Sequence, residues 1–221
     1  MDYNFAFVLR YQDALLVGLK MTVLVSLASI AIGCLWGFVL GMARGSSLRW
    51  ARALATVYIE FFRGTPVIVQ LFWVFFCLPL LLGIELSNMA SGIVALSLYM
   101  GAISAESFRA ALKTISPDQH NACVALGLSR YAEIRYVLMP QAILRAIPTL
   151  LSNCVSLFKE SALVSAVGMA DLMFVGQNIS NATARPVEVL TVVALIYFVI
   201  AFPLTRGVTV LERKVLKGLA V

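Results

Sequence analysis

MTVLVSLASIAIGCLWGFVLGMA, residues 21–43, runs for 23 positions without a charged side chain. Wound as an α-helix at ~1.5 Å per residue it reaches ~35 Å, enough to cross the ~30 Å hydrocarbon layer of a bilayer. Three more charge-free runs follow: 64–84 with 21 residues, 86–105 with 20, and 189–205 with 17, the last extended by apolar residues on its N-terminal side. A fifth stretch, from Gln141 to about Ala170, is also apolar but holds Arg145, Lys159 and Glu160. Unbroken it measures ~45 Å, so a break is expected at Lys159-Glu160-Ser161. Of 221 residues 13% are charged and 61% hydrophobic, with a mean hydropathy of +0.93. A soluble domain carries about 25% charged residues; this chain lacks the polar surface to be coated by water. The fold class so specified is all-α: an integral membrane protein with five transmembrane helices, one transmembrane domain over residues 1–221.

The charges between the runs alternate in kind. Arg44, Arg49 and Arg52 follow the first run with no acid among them, and Glu85 alone separates the second from the third. Lys113, Arg130 and Arg135 lie between the third and fourth, with Arg109 and Arg145 at the edges. Asp171, Arg185 and Glu188 come next, and the tail carries Arg206, Arg213, Lys214 and Lys217. Basic loops mark the cytoplasmic side, so the N-terminus is expected outside and the C-terminus in the cytoplasm. The net charge of +6 thus follows the ends of apolar runs rather than a face for nucleic acid. The start, Met1-Asp2-Tyr3-Asn4, is acidic and unlike a cleavable signal peptide. Phe5, Phe7, Val8, Leu15 and Leu16 interleave with Arg10, Gln12 and Asp13, which reads as a short interfacial helix on the outer face.

Several function classes find no support. Cys34, Cys77, Cys123 and Cys154 are far apart without metal-ligand spacing, and read as small buried hydrophobes. His120 is the only histidine, which leaves little for a metal site or a catalytic triad. No metal ligands and no catalytic residues are expected. None of the 14 glycines is followed by lysine, so the phosphate-binding loop G-x-x-x-x-G-K-[ST] is absent.

Three motifs stand out. Gly33, Gly37, Gly41 and Gly45 recur every fourth residue and form one smooth helical stripe for close packing. EFFRGTPVIVQ, residues 60–70, places Arg63, Gly64, Thr65 and Pro66 at the start of the second run. Pro66 removes a backbone donor and drives Thr65 out of the helical region. Glu60 and Arg63 are spaced to pair on one face, and the plain physical reading is a helix start with snorkelling charges. DQHNACVALGLSRYAEIRYVLMP, residues 118–140, is a polar interruption in an apolar chain. Gly127 is placed to end one helix in the left-handed region, Ser129 to cap a second, and Pro140 to stop it or start the next span. Two short helices meeting at a tight turn in the cytoplasm make a docking element.

This stretch resembles the E-A-A-x(3)-G-x(9)-I-x-L-P loop of ABC importer permeases. Gly127 and Pro140 keep the pattern; Asn121, Cys123, Val137 and Met139 depart from it. LLVGLKMT (15–22), EFFRGTPVIVQ (60–70), AESFRAAL (105–112), MPQAI (139–143) and LFKESALVSAVGMADL (157–172) narrow the likeness to polar amino-acid permeases of the histidine/glutamine/arginine type. It covers nearly the whole chain, in order. The resemblance implies a multi-pass permease subunit of the bacterial inner membrane, moving a polar amino acid, with a coupling loop over about 113–140. It implies that Asn121, Ala122, Cys123, Leu126, Gly127 and Ser129 dock an ATPase subunit dimer, which binds the ATP and Mg that this chain does not. It implies a second permease chain, identical or a sister carrying the fuller loop motif, and a periplasmic or tethered solute-binding protein. The alternative from a different class is an ion-gradient-driven secondary transporter or channel working without an ATPase.

Lys159 and Glu160 are adjacent ionisable groups inside an apolar span, each costly in lipid by about 2.5–3.5 kcal/mol at a helix centre on insertion scales. Neighbours on a helix point about 100° apart, so one of them needs another partner. Snorkelling or pairing with other spans accounts for them as well as function does. The resemblance implies function: Glu160 to hold a substrate ammonium or basic side chain, Lys159 its carboxylate, and Ser161 a further hydrogen bond.

Overall fold

The computed structural model describes residues 4–219, with side chains through residue 215. The acidic Met1-Asp2-Tyr3 start and the Lys217 charge lie outside the described residues. Among the described residues every regular element is helical, the helices being joined by short turns. α1 (Gln12–Gly45) follows a tight 3₁₀ turn, Phe5–Tyr11, without interruption. The first twenty residues are therefore not a separate interfacial helix. Val8 and Leu15 are buried against Leu172, Ile179, Val189 and Val193, so their apolar side has protein rather than lipid to cover it.

α2 (Arg49–Gly64) and α3 (Val67–Leu82) are bent from each other by 108°. The bend sits where the sequence places Pro66: Thr65 is extended, with φ −110° and ψ 144°. Pro66 has no N–H, which leaves the Phe62 carbonyl without its helical donor. Gln70 Nε2 takes its place, 2.8 Å from Phe62 O, 3.0 Å from Thr65 O and 2.8 Å from Thr65 Oγ1.

Two other prolines are handled by widening the helix. Before Pro79 the Leu78 N–H donates to Trp73 O, and before Pro140 the Met139 N–H donates to Ile134 O. Each is a five-residue, π-type bond, and the wider turn admits the ring without ending the helix.

α4 (Asn88–Lys113), capped by Ser87, is the central helix and packs on α1, α2 and α3. Its buried positions are mostly small, among them Ser91, Gly92, Ala95, Ser97, Gly101, Ser104 and Ala105. The α1–α4 pair is the most extensive in the molecule. A Cβ on Gly33 would overlap that of Met100, and one on Gly37 would lie 2.5 Å from Ser104 Cβ. The expected stripe is thus only half used. A Cβ on Gly41 would make an ordinary 3.6 Å contact with Phe108, and one on Gly45 would meet nothing within 4 Å. The two helices diverge toward that end.

α5 (Pro117–Ala125) is short, and α6 (Arg130–Val167) runs on without a gap. The second of the two expected short helices is therefore the opening of a long one, because the π-type turn carries the chain past Pro140. At Ser161 α6 tightens from α to 3₁₀ geometry and ends at Gly168, φ +73°. The break expected at Lys159-Glu160-Ser161 is this change of winding. α7 (Leu172–Thr183) occupies what reads in sequence as a loop, and α8 (Pro186–Leu219) closes the bundle against α6 and α7.

Four helices are long and apolar enough to cross a membrane, and the bent α2–α3 pair provides a fifth if taken as one span. One buried knot ties α7 to α1 and α8. Asp171 is fully buried and caps α7 by accepting from the Phe174 N–H at 2.9 Å, with Tyr197 Oη 3.5 Å away. The Leu172 N–H donates to Thr22 Oγ1 at 3.0 Å.

Gly37→Leu is expected to cost ~1–3 kcal/mol or more by overpacking, whereas Gly45→Ala leaves stability unchanged or slightly raised. Thermal unfolding of the detergent-solubilised chain separates the two. Gln70→Leu, which strips the bend of its donor, is expected to cost ~1–3 kcal/mol in the same assay.

Candidate functional site

The 113–140 segment is built around two caps and a buried acid. Ser116 caps α5, accepting from the Asp118 N–H at 3.2 Å, with Pro117 in the first turn. At the other end the Leu128 N–H donates to Cys123 O and the Gly127 N–H to Val124 O, both at 3.0 Å. This paired pattern is a Schellman close, and it requires the left-handed backbone that Gly127 adopts at φ +67°. Ser129 then caps α6 through the Ala132 N–H at 3.3 Å.

Glu133, its side chain only 4% exposed, clamps the two helices. It accepts from His120 Nδ1 at 2.7 Å and from Arg130 Nη1 at 2.8 Å. Neither His120 nor Glu133 stood out in the sequence as a pair, since they are thirteen residues apart. The lone histidine in a docking segment was the available signal.

Outside the clamp, three large apolar side chains stand exposed among the polar Asp118, Gln119 and Asn121. Val124, Leu126 and Tyr131 are 62%, 77% and 72% exposed. Asn121, Ala122, Leu126, Gly127 and Ser129 are all exposed, as a docking role requires. Cys123 is not: it is 3% exposed and packs inward, because its position on α5 faces the bundle. Nor is the turn short of room. Nothing lies within 4 Å of where a Gly127 Cβ would stand, so the constraint there is backbone conformation alone.

Lys159 and Glu160 border an open cleft of about 410 Å³ with Ser156, Ala162 and Leu163. Lys159 is exposed. Glu160 Oε2 is buried and has no hydrogen-bond partner among the described residues. Ser161 does not join them. It is fully buried and its Oγ donates to Phe158 O at 2.8 Å, serving the change of helix type.

Arg63 is not a free snorkelling charge. It belongs to a cluster that ties α1, α2 and α4 together at the basic end of the bundle. Glu106 is the hub, accepting from Arg44 Nη1 at 2.9 Å, with Arg63 Nη1 at 3.7 Å and Arg109 also bonded to it. Glu60 lies 3.3 Å from Arg44 Nη2 and 4.0 Å from Arg63 Nη1, the pairing its spacing predicts. Glu106 was missed in sequence, although its place three residues before Arg109 marks a helical ion pair. Gly64 ends α2 at the bend and Pro140 sits at the widened turn, structural positions in both cases. Among the described residues, no three His, Cys, Asp or Glu side chains converge on a metal position.

The residues thus build an all-helical membrane bundle with a capped, clamped short helix at its basic end and an unpartnered acid beside a cleft. Residues 33–217 match the family described as binding-protein-dependent transport system inner membrane component, and the chain belongs to it. It is an inner-membrane protein. It is 35% identical over 203 residues to the probable amino-acid ABC transporter permease protein y4tF of Sinorhizobium fredii, covering 90% of this chain and 85% of that one. It is 34% identical over 214 residues to the arginine transport system permease protein ArtQ of Bacillus subtilis, covering 97% and 98%. The solved structure of an amino acid ABC transporter with histidines superposes with a TM-score of 0.92 at 32% identity, over 97% of this chain and all of that one.

Replacing Glu133 with Leu removes both bonds of the clamp, a loss of ~1–3 kcal/mol locally. Amide exchange across 117–125 is expected to quicken about tenfold or more, with protection in α4 unchanged. Gly127→Val, which forces a branched side chain to positive φ, should loosen the same amides, while Gly127→Asn should be tolerated.

Proposed function

We propose that the chain is the membrane permease subunit of an ABC importer that moves a polar amino acid into the cell, driven by ATP hydrolysis on a separate ATPase subunit. The observation that carries this reading is the α5 segment: capped at both ends, clamped by Glu133, and holding Val124 and the C-capping Leu126 exposed beside the polar Asp118, Gln119 and Asn121. A loop without a partner gains nothing from holding Val124 and Leu126 in water. The charge bias of the basic end, with Arg44, Arg109, Lys113 and Arg130, supports reading it as the cytoplasmic one, with the N-terminus outside.

An ATPase dimer binds ATP and Mg and docks at residues 118–139 of two permeases, this chain and an identical or sister copy. A solute-binding protein delivers substrate to the opposite end. Movement of the ATPases reaches the bundle through α5, the Glu133 clamp and the continuous α6. The same helix carries Lys159 and Glu160. A zwitterionic amino acid offers an ammonium for the unpartnered Glu160 carboxylate and a carboxylate for Lys159. Relatives named for amino-acid transport support this substrate class.

Leu126→Asp is expected to prevent co-purification of the ATPase while the permease remains folded. Recovery of a stoichiometric complex from that variant would remove the docking assignment. Glu160→Ala and Lys159→Ala are each expected to lower amino-acid uptake in reconstituted vesicles at least tenfold, with basal ATPase activity kept. Wild-type uptake by both returns the pair to a structural role. Uptake without any ATPase, driven by an ion gradient, would instead establish the secondary-transporter reading.

A further inference from the structure

α2 has three faces. Ala55 and Ile59 are buried against Leu40 and Ala105 of the bundle. Glu60 and Arg63 reach the Glu106 cluster. The third face is apolar and uncovered: Trp50, Leu54, Val57 and Phe61 are 66%, 64%, 68% and 58% exposed. Their spacing of four, three and four residues puts all of them within about 40° of one line along the helix. Arg49 and Arg52 fall outside this line, on the sector shared with Glu60 and Arg63. Both arginines are exposed, and neither has an ion-pair partner among the described residues.

The 108° bend at Pro66 turns α2 steeply away from α3. If α3 crosses the bilayer, α2 lies close to the membrane plane, at the basic end where α1 finishes with Arg44. A helix in that plane with Trp, Leu, Val and Phe on one side and unpaired arginines on the other is built for the boundary between headgroups and acyl chains. We infer that α2 is a membrane-surface helix whose Trp50 stripe seats in the leaflet while Arg49 and Arg52 hold anionic lipid phosphates. The charge argues for this occupant over a second protein chain. A protein surface covering the stripe leaves Arg49 and Arg52 with nothing assigned to pair them, whereas an anionic leaflet supplies phosphates at that depth. The Glu60–Arg44 contact fixes the helix to the bundle, so headgroup binding there bears directly on the ends of α1 and α4.

The test uses the full chain in nanodiscs of phosphatidylcholine and phosphatidylglycerol, with bromine on the acyl chains of one lipid at a time. The chain has three tryptophans, and the difference in quenching between the native protein and Trp50→Phe isolates Trp50 without disturbing the packed Trp36. Trp50 is expected to be quenched by both lipids, with a preference for brominated phosphatidylglycerol of roughly fivefold per arginine at low salt. That preference should fall toward one in Arg49→Gln/Arg52→Gln and, in the native chain, on adding salt. Protection of Trp50 from both lipids would overturn the inference and assign the stripe to a protein contact, a second copy or a sister permease. Equal quenching by the two lipids, unchanged by the double substitution and by salt, would overturn it as plain acyl contact without headgroup recognition.

Discussion

The structure depends on how closely α1 and α4 approach each other. In lipid there is no hydrophobic gain from putting one apolar helix against another, so association rests on close packing and on polar bonds between helices. Gly33 and Gly37 let Met100 and Ser104 seat directly on the α1 backbone, and Gly101 gives the same access to Trp36. Because those contacts are backbone-close, the pair forms a rigid axis. α2 and α3 are held on one side of it, α6 on another, and α7 on the α1 surface near Gly18 and Thr22.

Around that axis, proline is used in two distinct ways. At Pro66 the helix is broken and turned, and the Gln70 amide replaces the missing donor inside the fold. At Pro79 and Pro140 the helix is widened and continues. The turn at Pro66 takes α2 out of the bundle's direction, while the widened turn at Pro140 keeps Arg130, Glu133 and the Lys159-Glu160 cleft on one helical element. The His120–Glu133 bond joins α5 to that helix at its start. The change to 3₁₀ winding at Ser161 falls next to the cleft, where the unpartnered Glu160 oxygen lies.

Much of this was legible in the residues themselves. Charge-free runs near the thickness of a bilayer determined the membrane class and the approximate spans, because a backbone in lipid must satisfy its own hydrogen bonds. Gly127, Ser129 and Pro66 announced their local conformations, since positive φ, helix capping and the missing proline donor are properties of single residues. The order of the motifs determined the family, and that reading agrees with the match over residues 33–217.

Only the tertiary structure decided what depends on neighbours distant in sequence. Asp171 and Thr22 read as a loop acid and a polar residue in a span, yet they form one buried knot with Leu172 and Tyr197. Glu106 became the hub of three arginines because α1 and α2 bring Arg44 and Arg63 to it. Gly33 and Gly45 are equivalent in the repeat, but α4 crosses one and has diverged from the other. Ser161 and Cys123 were named for binding and are turned inward, since the phase of a helix relative to its packing face is set by the helices around it and not by the local motif.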